Sequence, residues 1–153
     1  MSGALVEEII IIETSAPEVR PLRGELLRPG QPPEQLIYPG DEDPGTLHLA
    51  AVAEGQVVGV VSVFADGYPG SPLQGDWRIR GMAVRPELRN RSLGSRMLAR
   101  CEAHARESDG RRLWCNARIG ARTLYERIGM TVEGDVFEIP GIGEHYLMSK
   151  PLD

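Results

Sequence analysis

The stretch Arg89-Asn90-Arg91-Ser92-Leu93-Gly94-Ser95 sets two guanidinium groups and several small residues directly ahead of an apolar pattern at helical spacing. A helix start leaves its first N–H groups without intrahelical partners, and its dipole favours anions. Gly94 has no Cβ, so a ligand can come close to the backbone there. Arg89 and Arg91 can add charge-assisted hydrogen bonds to phosphate oxygens. Together these residues have the chemistry of a pyrophosphate cradle; taken alone, they are equally an ordinary helix start. Downstream, Tyr125 is a candidate proton donor; it shares an apolar stripe with Ala121, Leu124 and Ile128, and core packing is the alternative reading. Glu138, Glu144 and His145 are candidate proton acceptors near the C-terminus. Of these, His145 suits neutral pH best, because imidazole titrates there; beside a glycine-rich turn it also reads as a surface residue, with an ordered water as the other base. His48 and His104 read as structural or exposed. No His/Cys cluster has metal-ligand spacing, so no metal is expected.

The elements that must position these residues follow from periodicity and punctuation. Val6 to Ile12 is apolar and β-branched, a first strand. Ser15, Pro17 and Glu18 form a helix-start signature, with the helix running toward Leu27. Arg28 to Gly45 is rich in Pro, Gly and acids, and reads as a loop with a short helical turn near a substrate entrance. Leu47–Ala53 and Gln56–Ala65 flank Glu54-Gly55 as a hairpin. Trp77 to Val84 is a further strand, with Gly81 a candidate bulge. Leu93, Met97, Leu98, Cys101 and Ala105 then recur at helical spacing. Arg111 to Cys115 is a short strand, Ala121 to Ile128 a second helix stopped by Gly129, and Met130–Ile139 with His145–Ser149 a final hairpin. The central strand–helix–strand unit implies a right-handed crossover between parallel strands. The expected class is α+β: a central, mostly antiparallel sheet of about seven strands with one splayed parallel pair, flanked by helices.

Composition narrows the setting. The 153 residues fit one domain spanning 1–153, and 41% of them are apolar, ordinary for a soluble protein. Val57–Ala65, the longest apolar stretch, is too short to span a bilayer, so no membrane partner is expected. The N-terminus lacks the basic start of a secretory signal. Cys101 and Cys115 read as buried thiols, and the expected location is cytoplasmic. The net charge of −5 is unevenly spread: thirteen arginines against five acidic residues lie between Arg78 and Arg127, while acids predominate elsewhere. That suggests an anionic ligand at the middle of the chain, with Asp41, Glu42 and Asp43 favouring a cationic amine. Nucleic acid is disfavoured, because no aromatic residues interleave the arginines.

Two segments resemble the GNAT superfamily of acyl-CoA-dependent N-acyltransferases. Arg89-Asn90-Arg91-Ser92-Leu93-Gly94, after Gly81-Met82-Ala83-Val84, is similar to that family's Gln/Arg-x-x-Gly-x-Gly/Ala motif, with Ser92 at its first glycine. Asn116 to Met130 is similar to its Asn-x-x-Ala-x-x-x-Tyr-x-x-x-Gly-Phe segment, with Arg118 at the Asn position and Met130 at the Phe. The resemblance covers about Val57 to Lys150. It implies that acetyl-CoA is co-substrate and that an amine, in a small molecule or a peptide, attacks the thioester directly. Coenzyme A would be held by Met82, Ala83 and Val84, by Arg89 to Ser95, and by Asn116 and Arg118. Tyr125 would protonate the departing thiolate, with His145 or Glu144 as base. Asn116 reads equally as a strand-end turn residue. A homodimer is compatible with the resemblance. The alternatives are a catalytically silent acyl-CoA-binding module on the same fold and a phosphate binder unrelated to coenzyme A.

Overall fold

The computed structural model describes residues 8–71, 74–89 and 92–152. Seven strands form one sheet: β1 (Ile10–Thr14), β2 (Leu47–Ala53), β3 (Gln56–Ala65), β4 (Asp76–Val84), β5 (Arg112–Arg118), β6 (Thr131–Ile139) and β7 (Gly143–Pro151). Their spatial order is β1-β2-β3-β4-β5-β7-β6. Every neighbouring pair is antiparallel except β4–β5, which is parallel across the crossover helix α2 (Leu93–Glu107). The expected mixed sheet with one parallel pair is therefore the observed one. Glu54 and Gly55 turn the β2–β3 hairpin with φ of 51° and 76°, as a tight hairpin turn of this hand requires. No helix among the described residues is long and apolar enough to cross a membrane.

The two faces of the sheet are covered differently. On one, α2 and the short helix α3 (Arg122–Arg127) close over Leu49, Val61, Val63, Ile79, Leu113, Cys115 and Met148. Leu93, Met97, Leu98, Cys101 and Ala105 supply the buried stripe of α2, as their spacing requires. On the other face, helix α1 (Ala16–Leu22) packs Val19 and Leu22 against Val60 and Ala83. Cys101 and Cys115 are buried free thiols, and burial pushes the Cys101 thiol up to about 12.

Several boundaries differ from the sequence expectations. The first strand begins at Ile10; its proposed start at Val6 lies outside the described residues. Ser15 makes no side-chain cap, and only its carbonyl is used, accepting from the Glu18 N–H at 3.1 Å. Helix α1 stops at Leu22 and not Leu27. Pro21 has no N–H to donate and crowds the preceding turn, and the chain widens into a π-helical turn at Arg23–Leu27. The loop after it holds the expected short turn, a 3-10 turn at Pro33–Leu36. β5 runs on to Arg118, because β7 pairs with it as far as Arg118–His145. Asn116 is thus a strand residue and not the turn residue that was its alternative.

One buried network fixes the Arg28–Gly45 loop against the sheet. Arg23 donates twice to the Asp41 carboxylate, at 2.8 and 3.0 Å, and also to Ser62 Oγ at 3.0 Å and the Leu36 carbonyl at 2.9 Å. Both side chains of this ion pair are essentially inaccessible. His48 Nε2 faces the Asp41 carbonyl at 2.9 Å, and a carbonyl can only accept, so Nε2 carries the proton. Its Nδ1 lies 2.6 Å from Ser62 Oγ, which itself accepts from Arg23. Burial pushes the Asp41 carboxyl up, but the Arg23 guanidinium and the Tyr38 N–H outweigh it and hold the group below its ordinary value.

Candidate active site

β4 carries the feature from which the site is built. Val60 pairs with Ala83 and Ser62 with Arg80, so Val61 alone faces Gly81 and Met82. This is the bulge expected at Gly81, whose φ of +70° suits glycine. A Cβ there would lie 3.0 Å from Arg23 Nε and 3.2 Å from the Tyr38 ring. Beside the bulge, the parallel ladder joins Asp76–Arg112, Trp77–Leu113 and Arg78–Trp114, and then ends. Both strands continue, β4 to Val84 and β5 to Arg118. Their facing backbone groups beyond Arg78 and Trp114 lack strand partners across the gap, and such groups need another donor or acceptor.

A cleft of about 560 Å³ occupies this splay. It gathers Met82, Ala83, Val84, Arg89, Ser92, Leu93, Gly94, Ser95, Asn116, Arg118, Tyr125 and His145. Asn90 and Arg91 lie outside the described residues. Glu144 does not line the cleft; it is exposed and, next to His145 on β7, points to the opposite face. Glu138, its register partner, is likewise exposed and off the cleft.

On the α2 face, the helix N-terminus opens into the cleft with neither a side-chain cap nor an acidic residue in its first turn. The free N–H groups of that turn suit an anion. Ser92 precedes it in the left-handed region, φ 61° and ψ 8°, which explains the glycine at this position in the resembled motif. Gly94 serves a different purpose from the one its missing Cβ suggested. The space a Cβ would fill is taken by Met82 Cε at 2.9 Å and Leu124 Cδ1 at 3.2 Å, so this glycine lets side chains of β4 and α3 meet the helix. Arg89 is exposed, and its Nε donates to the Val84 carbonyl at 3.2 Å.

Tyr125 is both core and cleft. Its ring packs in the cluster with Leu113, Cys115 and Ala117, it is 6% exposed, and it lines the cleft. Burial drives the phenol well above its usual value, with Cys115 and Cys101 adding to the shift, so it is a neutral donor. No hydrogen bond ties its hydroxyl to another described residue.

His145 pairs with Arg118 in the β5–β7 ladder, and so shares a face with Arg118 and Asn116, opposite to α2 and α3. It is buried, 4% exposed, which rules out the surface reading. The Nδ1 lies 2.8 Å from the Gly143 carbonyl and must donate to it, which leaves the Nε2 lone pair available. Arg118 reaches across the sheet to donate to the Leu27 carbonyl at 2.6 Å. Residues the sequence did not single out complete this side: Arg28, Tyr38, Arg78, Arg80, Ile139 and Ile142.

The charge of the cleft reverses one expectation. Arg28, Arg78, Arg80, Arg89, Arg118 and Arg127 line it, and no Asp or Glu does among the described residues. Asp41 is occupied by Arg23, and Glu42 faces Arg20 at 3.4 Å. These acids therefore do not form a pocket for a cationic amine.

The chain and its fold have counterparts among known proteins. The Acetyltransferase (GNAT) family model matches residues 16–130. An uncharacterised N-acetyltransferase of Bacillus subtilis (strain 168), YitI, is 34% identical over 131 residues, covering 86% of this chain and 88% of its own. A GNAT-family acetyltransferase from Streptococcus pneumoniae superposes with a TM-score of 0.71 at 20% identity, over 95% of this chain and 100% of that one. An aminoglycoside 6'-N-acetyltransferase complexed with coenzyme A gives 0.68 at 17% identity, over 93% and 96%. The two solved structures speak to the fold. The chain belongs to the GNAT acetyltransferase family, and its activity is acetyl transfer that depends on an acyl-CoA.

Proposed function

We propose that acetyl-CoA occupies the β4–β5 splay, with its pyrophosphate on the N-terminus of α2, and that an amine acceptor enters from the opposite face of the sheet. The observation that carries this reading is the ladder that ends at Arg78–Trp114 while both strands continue, which leaves a passage lined from both faces. The residues present fit the co-substrate. The free N–H groups of Leu93, Gly94 and Ser95 and the guanidinium of Arg89 suit phosphates, and the unpaired edges of β4 and β5 suit an amide-bearing arm. Bound acetyl-CoA supplies an activated acetyl group: the amine nitrogen bonds to the carbonyl carbon, the carbon–sulfur bond breaks, and the thiol of coenzyme A leaves.

The chain's own groups act on the charges of that exchange. Backbone N–H groups beside the bulge, at Met82 to Val84, polarise the carbonyl. Asn116 orients the arm or a water from β5. His145 Nε2 takes the amine proton, directly or through water, its ring held by the Gly143 carbonyl. Tyr125 donates its hydroxyl hydrogen toward the developing thiolate.

The test is a panel of amines incubated with acetyl-CoA, read by thiol release and by the mass of the acetylated product. Acceptor-dependent thiol release that is lost on blocking the α2 N-terminus, as in Ser92→Leu, is expected. Unchanged turnover and coenzyme A affinity in Ser92→Leu would move the cofactor out of this cleft.

A further inference from the structure

The arginines at the acceptor side of the cleft do not match an acceptor that carries only positive charge. Arg78 and Arg80 stand opposite Phe64 and Ser62 in the β3–β4 register, on the face covered by Arg23, Tyr38 and the Arg28–Gly45 loop. Trp77 and Ile79, which alternate with them, face α2 and its core. Arg78 and Arg80 are therefore across the sheet from the α2 N-terminus and its phosphate cradle.

Their partners are incomplete. Arg78 lies over the Trp114 ring at 4.8 Å and donates to Asp66 at 3.2 Å, but its buried Nε has no partner among the described residues. Arg80 makes no hydrogen bond or ion pair with any described residue; its guanidinium rests on the Tyr38 ring, 4.1 Å from the centroid. The same ring holds Arg23 at 3.9 Å and Arg28 at 5.6 Å. Several cations thus converge on one half-buried spot where Asp41 answers Arg23 and, at 3.7 Å, Arg20, which leaves Arg80 without a counter-ion among the described residues. Burial comes first, and Arg78 beside it next, in pushing the Arg80 pKa down to about 10, so the group remains charged at neutral pH. An unpaired charge that is partly desolvated carries a cost unless a ligand supplies the opposite sign. Arg guanidinium planes bind carboxylate and phosphate bidentately, which a single point charge does not.

We infer that the acceptor is an amine that also carries an anionic group, a carboxylate or a phosphate, seated on Arg80 with Arg78 and Arg28 beside it. This rests on the acetyltransferase reading of the same cleft and narrows its substrate class to amino acids, peptides with a free carboxylate within reach, or aminoalkyl phosphates. Polyamines and other purely cationic amines would meet repulsion from the same groups.

The experiment offers wild-type protein three matched sets with acetyl-CoA: the common L-amino acids, their carboxamides, and aminoalkyl phosphates, with spermidine and an aminoglycoside as cationic comparisons. Product mass and thiol release are the readouts. Turnover of an acid or a phosphate at least about tenfold above its neutral counterpart is expected, the two sets separating the two anions. In Arg80→Gln the KM for that acceptor rises about tenfold or more, with kcat and acetyl-CoA affinity changed far less. Arg80→Lys recovers part of the preference because it restores the charge. The melting temperature of Arg80→Gln stays close to the parent's, since no hydrogen bond or ion pair among the described residues is lost and the relieved repulsion from Arg78 offsets the lost contact with the Tyr38 ring. Three results overturn the inference: neutral or cationic amines turned over as well as the anionic ones, no turnover of any anionic amine, or equal loss of acetyl-CoA affinity in Arg80→Gln. Failure of wild-type protein to bind acetyl-CoA at all would instead overturn the cofactor assignment.

Discussion

Replacing Tyr125 by Phe removes one oxygen from a ring that is otherwise fully packed, which makes it the cleanest probe of the chemical step. The hydroxyl forms no hydrogen bond with a described residue, so its loss strands no partner within the protein. The ring contacts with Leu113, Cys115 and Ala117 are retained. The melting temperature should therefore stay within a degree or two or rise slightly. The effect on turnover follows from the protonation state. Burial holds the phenol well above its usual value, whereas a thiol ionises at about 8.5. A thiolate is then a weaker base than this phenolate. Tyr125 would act chiefly by donating a hydrogen bond to sulfur as negative charge develops, with the proton delivered by exchange with solvent. A hydrogen bond to a charged group is worth about 1.5–3 kcal/mol, or about 10- to 150-fold in rate. The assay is kcat at saturating acetyl-CoA with chemistry shown to be rate-limiting by single-turnover kinetics, together with the dissociation constant for coenzyme A. A fall in kcat within that range, at unchanged affinity and stability, is expected. A kcat within a factor of two of the parent would remove Tyr125 from the chemical step and leave it as core alone.

Ser92→Gly relieves a left-handed φ that costs an L-residue about 1–2 kcal/mol, offset by about 0.5–1 kcal/mol of glycine chain entropy; stability should rise by up to about 1.5 kcal/mol with coenzyme A binding retained, and a denaturant titration showing clear loss would refute the strain. Arg89→Ala should weaken coenzyme A more than pantetheine, and less so at high salt; equal weakening of both in calorimetric titrations would show that Arg89 does not meet phosphate. Asp41→Asn leaves Arg23 buried with no carboxylate and should cost about 3–5 kcal/mol, visible as a large drop in melting temperature; a drop smaller than that of an exposed-pair variant such as Glu126→Gln would mean the pair is relaxed in solution. Because the folded pKa of Asp41 lies below its ordinary 3.8, its contribution is fully present above that value and is lost as pH falls from there through the folded pKa. Melting curves should show the wild type losing more stability than Asp41→Asn over this acid window.

Much of the architecture was legible because it is written locally. The hairpin at Glu54-Gly55, the bulge at Gly81 and the helix opening at Leu93 each depend on backbone preferences of a few neighbouring residues. The helix boundary at Leu22 was legible in principle from Pro21, whereas the start signature at Ser15, Pro17 and Glu18 says nothing of where the helix stops. The length of β5 was not legible, because only its pairing with β7 extends it to Arg118.

The amino-acid sequence by itself determined the order of elements, the parallel crossover and the arginine-flanked helix start, since periodicity, glycine positions and charge carry that information residue by residue. Only the tertiary structure decided which side chains share the cleft. Whether His145 or Glu144 faces it is a matter of strand parity, and parity is set by the β5–β7 register between segments far apart in the chain. Whether Asp41 meets a substrate or Arg23 depends on a loop folding back onto β3. The same holds for the arginine cluster: Arg23, Arg28 and Arg80 gather around Tyr38, with the Arg78 charge acting on Arg80, because the sheet and the loop bring them there, and their mutual repulsion is visible only once those distances exist. Charge along a chain is additive, but the potential in a cleft depends on distance and on what has been taken out of water.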